Sequence, residues 1–591
     1  MHHHLQALHR ALVEEQRAEA DEHARLAALA EAEQVAAGFA WPLLQLVSSD
    51  RLGKRHRLVL RAPKGAVLHD GIGAGDPVWI EGRPGTCDGV DGDHAEILVD
   101  RRLEEVRAYL VTRRHDPATF IRYRQALERA AEVASPLRAR LLGEEVAADA
   151  RHGDRGGGDP TWALGLDAAQ GRAARHALDA PELAVVHGPP GTGKTRMLAA
   201  VLAALVARGE RPWALADSNA AVDHLACQAA RAGLSVVRLG HVSRIGSEAA
   251  PLSLAARILA SQFGPALAVL DRELSRAREG HELRRLLAER RALRDQARQH
   301  VLDTAEVLAS TFGTLARLAP ELPPPTTAVV DEATQATEPA VWVAVPFARR
   351  LVLVGDPEQL GPVSRVPGSP LERSLLQRLV EEAQVELPML EVQHRMASPI
   401  RELVAEIYGA DYRDHPTVAE QQLLDLPRAV WVDTAGAGLG EAMDPTTRSL
   451  YNDGEAVLVA RAASDLRGRG VAPDRIGVIT PYSAQVARLT REPALAGVEV
   501  ATVNAFQGRE KDAILVSWVR SNEEGELGFV ADARRLTVAL TRARAFLWQV
   551  GDSATLARHP RFAALVERHD QRGDLQTVWE PPWADVLAAR D

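Results

Sequence analysis

At 591 residues, 46% of them hydrophobic and 25% charged, the chain has the composition of a globular protein large enough for several domains, each with its own core. Its 70 basic and 80 acidic residues give a formal charge of −10, which excludes a molecule coated in basic surface while still permitting a local basic groove. Two cysteines far apart in sequence, Cys87 and Cys227, exclude both a structural zinc site built from cysteine pairs and a disulfide framework, and fit a reducing, cytoplasmic setting.

Residues 5–37 are rich in Ala, Glu, Arg and Leu and contain no proline. With Leu5, Leu8, Leu12 and Leu26 set among charges, they predict one long solvated helix. The preceding His2-His3-His4 run is given no role. Between 41 and 100, short β-like runs (Arg57–Arg61, Pro77–Glu81, Ala95–Val99) alternate with Gly, Asp and Pro turns, the pattern of a small antiparallel barrel. Residues 101–145 return to an arginine-rich helical pattern, and the Gly/Asp-rich stretch 151–160 reads as a flexible boundary.

From about residue 165 onward, apolar β-like runs alternate with helical stretches. The runs are Leu183–Val186, Val329-Val330, Leu351–Val354, Ile476–Ile479 and Ile514–Val516, and their pattern is that of parallel sheets flanked by helices, an α/β fold. Residues 270–300 interrupt it with a charged helix carrying Leu283, Leu286 and Leu293, best read as a helical hairpin packed on itself. The apolar run Met197–Ala207 is too short to cross a bilayer, and the start of the chain lacks a secretory pattern.

Only four of the seventy basic residues are lysines, and one of them, Lys194, lies in Gly188-Pro189-Pro190-Gly191-Thr192-Gly193-Lys194-Thr195. That segment stands between a strand and a helix, the context a phosphate loop requires. Its glycines let backbone N–H groups converge on phosphate oxygens, and a compact ammonium reaches the β- and γ-phosphates where a planar guanidinium would not fit. Thr195 is expected to place its hydroxyl on Mg²⁺. Asp331-Glu332 follows the strand Ala328–Val330: Asp331 is the expected metal ligand and Glu332 the acceptor of the attacking water's proton. Gln359, in Gly355–Leu360 after the next strand, is placed to sense the γ-phosphate or its water. Two arginine-bearing segments, Gln393–Met396 and Val538–Arg544, can supply positive charge to the transition state.

In chain order, Gly188–Thr195, Ser218–Asp223, Asp331–Gln335, Gly355–Leu360, Gln393–Met396, Thr480-Pro481-Tyr482, Phe506–Lys511 and Val538–Arg544 resemble the motifs of superfamily 1 helicases. The likeness is greatest to the branch that holds the nonsense-mediated-decay helicase, senataxin and the immunoglobulin mu-binding-protein helicase. The resemblance covers nearly the whole chain and implies two RecA-like parallel-sheet domains, with an N-terminal helical stalk carrying the small β-barrel. The division it implies is 1–40 stalk helix, 41–100 barrel, 101–157 second stalk segment, 158–370 first RecA-like domain with a helical insert at about 248–302, and 371–591 second RecA-like domain with a short helical tail after Val550-Gly551-Asp552.

Carried over residue by residue, the resemblance implies that Gln170 reads the adenine edge and that His394 and Glu510 lie at the nucleotide. It implies that Arg395 and Arg542 reach the γ-phosphate, and that Ser218, Asn219, Thr311, Pro481 and Tyr482 face a nucleic-acid strand. His394 stands where the family usually has a tyrosine, which predicts weaker adenine stacking. Asp217 and Gly361 stand where proline or threonine, and proline, are usual.

The implied activity is ATP- and Mg²⁺-dependent 5′-to-3′ movement on single-stranded DNA or RNA, by a monomer, with ATP hydrolysed between the two domains. A nucleic-acid-stimulated ATPase that clamps or remodels ribonucleoproteins with little unwinding is the alternative. A GTPase switch is disfavoured because no Asn-Lys-x-Asp guanine motif is present, and no segment is rich enough in acidic, His and Cys clusters for a fused nuclease.

Overall fold

A computed structural model describes residues 2–52, 55–64, 68, 72–101, 108–144, 165–276, 281–383 and 385–588. Lys54, the boundary stretch 151–160 and the expected division at 157/158 lie outside them. The chain forms two compact units. The first comprises Met1–Val186, Lys194–Gly355 and Gly361–Pro388, and the second His187–Gly193, Asp356–Leu360 and Met389–Asp591.

The first unit opens with a helix, His3–Ala27, that ends earlier than the sequence predicts; a separate short helix follows at Glu31–Ala36. The break needs no proline. Gln34 turns back to donate to the carbonyls of Ala27 (3.0 Å) and Leu29 (2.9 Å), satisfying acceptors a helix end leaves open. Nor is the helix solvated along its length. Leu5, Leu8 and Leu12 are fully buried in one core with Leu127, Leu137 and Trp342. Glu15, only 5% exposed, accepts the Ser364 hydroxyl at 2.6 Å and the Arg365 N–H at 3.0 Å. Upstream, the His4 ring meets Glu338 at 2.8 Å, and Arg378 bonds the same buried carboxylate. Burial alone would raise the Glu338 pKa, but the bonds from His4 and Trp342 and the charge of Arg378 outweigh it and hold the group below its ordinary value.

Next comes a six-stranded antiparallel sheet in the order Gln45–Leu52, Arg55–Arg61, His94–Val99, Arg83–Asp91, Pro77–Ile80, Val111–Arg113. Leu58, Leu60, Val78, Ile80, Cys87, Ala95, Ile97 and Val111 point to one buried face with Trp41 and Tyr109, as period-two alternation requires. The sheet runs past residue 100, where a helical pattern was expected. Val111-Thr112-Arg113 pairs with Ile80-Trp79-Val78, because a β-branched pair there outweighs the surrounding arginines. Burial, followed by the nearby Asp76, pushes the Cys87 thiol up to about 12, so this cysteine is a core residue and not a reactive one. The helices Ala118–Glu132 and Pro136–Leu142 then return to the core of the first unit.

That core surrounds a six-stranded sheet ordered Leu183–His187, Arg350–Gly355, Thr327–Val330, Trp213–Ala216, Val307–Thr311, Val236–Leu239, with parallel registers from the second strand to the last. Nearly every residue in these strands is buried, as expected of a sheet covered on both faces. The insert forms helices Leu254–Ala260, Gly264–Arg276 and His281–Thr304, with Leu286 buried. The helix Leu375–Glu381, expected to open the second domain, belongs to the first unit. Leu375, Leu376 and Leu379 complete its core, and Arg378 reaches Glu338.

The second unit has a fully parallel six-stranded sheet: Glu499–Thr502, Ile476–Thr480, Lys511–Ser517, Ala543–Gly551, Ala429–Asp433, Leu575–Thr577. The tail expected to be helical contributes its edge strand, Leu575–Thr577, between the helices Pro560–Arg572 and Trp583–Ala588. Among the described residues no helix is long and apolar enough to cross a membrane.

Candidate nucleotide site and strand-facing segments

In the first unit the helix Lys194–Ala207 is apolar on nearly all sides and buried, which fixes the position of its first residues. Lys194 and Thr195 begin it. Asp331 and Glu332 leave the C-terminal end of the central strand Thr327–Val330, where ligands of open parallel sheets collect. The Thr195 hydroxyl donates to Asp331 Oδ2 at 2.8 Å, and the Lys194 ammonium lies 3.8 Å from Glu332 Oε1. Glu332 adopts φ +49°, a strained value for a non-glycine residue, and its N–H donates to Asp331 Oδ1 at 2.9 Å. Gln335 holds the other Glu332 oxygen at 3.1 Å.

Asp331 is only 2% exposed. Burial first, and then the neighbouring Glu332, push its carboxyl up to about 6 against the pull of Lys194 and Thr195. The expected Mg²⁺ fits this set: a hydroxyl and a buried carboxylate in contact supply two hard oxygens, leaving further positions for phosphate and water. Among the described residues no three His, Cys, Asp or Glu side chains form an all-protein metal cage.

The glycine-rich part of the phosphate loop packs within the second unit. Gly191 and Gly193 take φ of +71° and +74°. A Cβ on Gly191 would stand 2.7 Å from the Arg395 Cβ, so only glycine permits this approach. The Gly191 carbonyl accepts the His394 N–H at 2.8 Å, Tyr412 donates to the Pro190 carbonyl at 2.7 Å, and Thr192 donates to the Pro189 carbonyl at 2.7 Å. Gly188 opens the loop after the strand. Buried Asp356 collects His187 (3.0 Å), Tyr408 (2.7 Å) and the Gln359 amide (2.7 Å). The other end of Gln359 accepts from Arg542 at 3.4 Å.

Arg395 donates to the Thr541 carbonyl at 3.1 Å and pairs with Glu510, which also takes Arg544 at 2.6 Å. Burial alone would raise the Glu510 pKa, but the two arginines outweigh it and hold the carboxyl down to about 2. Arg542 is 3% exposed and is braced by the Val538 carbonyl at 3.0 Å. The second unit thus gathers Gln359, Arg395, Arg542 and Glu510, which are distant in sequence.

The two expected adenine contacts fall in different units. Gln170 is buried in the first, where its carbonyl oxygen and Asp167 form a reciprocal cap at a helix start (3.1 and 2.8 Å). His394 is an exposed residue of the second unit. Its ring lies 4.4 Å from that of His415, an aromatic neighbour no motif pointed to.

The expected strand contacts divide by exposure. Ser218 is exposed and caps the helix Asn219–Arg231, Asn219 is half-buried beside it, and Pro481 is half-buried. Asp217 is exposed. Thr311 is 8% exposed, and its hydroxyl donates to Thr314 at 3.2 Å. Tyr482 is 4% exposed and accepts from Arg520 at 3.3 Å. Its ring instead backs Phe529, at 4.6 Å between centroids. Phe529 is 44% exposed and has the Arg535 guanidinium 4.8 Å from its ring. Phe529 follows Gly528 among Leu527, Val530 and Ala531, so nothing in its sequence neighbourhood singles it out, and no motif contains it.

The AAA domain family matches the chain in two forms, over residues 165–282 with 267–365 and over 371–554. The chain is similar to the DNA-binding protein SMUBP-2 of Rattus norvegicus, 34% identical over 70% of this chain and 46% of that protein. It is similar to the ATP-dependent helicase NAM7 of Saccharomyces cerevisiae, 34% identical over 69% of this chain and 44% of that protein. It is also similar to the DNA polymerase alpha-associated DNA helicase A of Schizosaccharomyces pombe, 30% identical over 66% of this chain and 64% of that protein. The chain therefore spans about half the length of the first two relatives. Among solved structures, Arterivirus nonstructural protein 10 (helicase) aligns at 13% identity over 87% of this chain and 79% of its own, with a TM-score of 0.38.

Proposed function

Since the chain belongs to the superfamily 1 helicases, in the group of the mu-binding-protein and nonsense-mediated-decay helicases, we propose that it is an ATP-dependent nucleic-acid helicase or translocase that moves 5′ to 3′ on single strands. One observation carries the reading: Lys194, Thr195, Asp331 and Glu332 converge at the C-terminal end of a parallel sheet, within 3.8 Å in their successive contacts.

In this reading Lys194 neutralises the β- and γ-phosphates, and Thr195 and Asp331 would hold Mg²⁺, which would supply charge shielding for the phosphates. The Glu332 carboxylate takes the proton of the attacking water, and Gln359 orients that water. Arg395 and Arg542, following the family's motif order, stabilise charge developing on the γ-phosphoryl group. Gln170 and His394 face the base, and Glu510 lies at the same nucleotide.

Hydrolysis removes the negative charge the arginines attract, so the two parallel-sheet domains change their grip on the strand once per ATP. Ser218, Asn219 and Pro481 contact that strand through its backbone, which makes binding sequence-tolerant and salt-sensitive. The antiparallel sheet, read as a barrel on a helical stalk, adds a further strand contact. The names of the relatives, a DNA-binding protein and an ATP-dependent helicase, support this reading.

The test is ATPase stimulation by single-stranded DNA against RNA of equal length, followed by strand displacement on 5′-tailed and 3′-tailed duplexes. Stimulated ATPase with displacement of the 5′-tailed duplex is the expected result. Stimulation without displacement on either duplex would replace it with a clamp or remodeller, and ATPase indifferent to nucleic acid would sink both.

A further inference from the structure

Arg238, on the strand Val236–Leu239, has no exposed surface. A buried guanidinium needs an acceptor at each of its three nitrogens, because it offers hydrogens only and stays charged. Arg238 meets three partners: Nε donates to Asp223 Oδ1 at 2.7 Å, Nη2 to Asn219 Oδ1 at 2.9 Å, and Nη1 to the carbonyl of Leu239. The second oxygen of Asp223 accepts the Gly246 N–H at 2.7 Å. No motif contains Arg238.

The contact with Asn219 fixes more than a distance. A guanidinium cannot accept, so the Asn219 carboxamide must turn its oxygen inward to Arg238. The group is planar, and its NH₂ is thereby directed away from the buried network, from a residue that is itself half-exposed at the start of the helix Asn219–Arg231. We infer that Arg238 is a positioning residue for nucleic acid: it locks Asn219 as a hydrogen donor to the phosphate backbone of the strand. This rests on the reading of Asn219 as a strand contact and deepens it. Phosphate oxygens only accept, so a carboxamide free to flip would present its oxygen part of the time and repel them. Asp223 balances the buried charge and anchors the loop at Gly246. The same loop carries Arg244, whose Nη2 donates to Asp76 at 2.8 Å and whose Nε donates to the Ala74 carbonyl at 3.0 Å in the antiparallel sheet.

The experiment compares the full chain with Asn219→Ala, Arg238→Lys, the double variant and Asn219→Asp. It reads the affinity for a fluorescent single-stranded oligonucleotide, the half-saturating strand concentration of the ATPase, and its maximal rate. Lysine keeps the charge beside Asp223 but has no fork with which to reach Asn219 as well. Arg238→Lys and Asn219→Ala are each expected to raise the half-saturating concentration about tenfold, the value of one hydrogen bond to a charged group, with the maximal rate at saturating strand within about twofold. The double variant should be no weaker than Asn219→Ala, since both remove the same contact. Asn219→Asp still accepts from Arg238 but presents an oxygen to the strand, and should bind more weakly than Asn219→Ala. This arm decides the matter if Arg238→Lys melts early.

Wild-type affinity in Asn219→Ala overturns the strand-contact reading and the inference with it. A loss in Asn219→Ala with none in Arg238→Lys, additive losses in the double variant, or wild-type binding by Asn219→Asp overturns the inference alone.

Discussion

The two units surround their buried charged clusters in opposite ways. In the first, buried Asp331 and half-buried Glu332 stand with one lysine, and burial drives Asp331 up to about 6. In the second, two arginines share one carboxylate, and Glu510 is driven down to about 2. The first arrangement has unmet negative charge suited to a divalent cation and to proton acceptance. The second has excess positive charge suited to a phosphoryl group. The same contrast recurs outside the site. In the first unit, Glu338 is buried with Arg378 and His4 and held low, whereas in the second, Glu455 is buried against Ser517 (2.6 Å) and the Val519 N–H (2.8 Å), and burial raises it to about 8.

Breaking the first unit's acidic cluster should cost most. Glu332→Gln removes the proton acceptor while keeping the shape, and is expected to lower the ATPase rate about 10³-fold while strand binding survives. Lys194→Ala should be at least as damaging to turnover. Undiminished hydrolysis in either variant would remove the assignment of the first unit's cluster. Arg542→Ala is expected to cost less, about 10²-fold in maximal ATPase rate, because one of two arginines remains. A loss larger than that of Glu332→Gln would invert the comparison.

The buried glutamates should respond to pH with opposite sign. Glu455 retains a proton in the folded state between about 4.5 and about 8, where the unfolded chain has lost it, so stability falls as pH rises through that window. The slope is at most about 1.4 kcal/mol per pH unit, and Glu455→Gln should flatten it in thermal melts of the full chain. Glu338 behaves the other way: its contribution is present above about 4.5 and is lost as pH falls below it. A Glu455→Gln melt with an unchanged pH slope would remove this part of the contrast. The smallest expected effect is at the base. Gln170→Ala should lower the preference for ATP over GTP by less than about tenfold, the range of one neutral hydrogen bond, and an unchanged ratio would take Gln170 out of base recognition.

The phosphate loop and the acidic pair were legible because their chemistry requires fixed residue types at fixed spacing. Strands were legible only as runs of Val, Ile and Leu. Trp213–Ala216 carries no strand signal because strands buried on both faces need no alternation and tolerate alanine. The burial of Tyr482 and Thr311 was invisible because a motif reports a segment, whereas exposure depends on what packs over it, here Phe529 and the Thr314 turn. Arg238 was hidden among an arginine population so large that no single member stands out by type. The placement of Glu15 under Ser364 and Arg365 depends on residues some 350 positions away, beyond any local pattern.

The chain passes from one unit to the other at 186/187, 193/194, 355/356, 360/361 and 388/389. Four of these crossings flank the phosphate loop and the Gln359 turn. No single cut therefore yields two autonomous fragments. A version divided at 388/389 leaves its C-terminal piece without the short stretches that pack into it, so split-protein complementation should succeed only when both pieces are made together, and each piece alone should be a client for proteolysis.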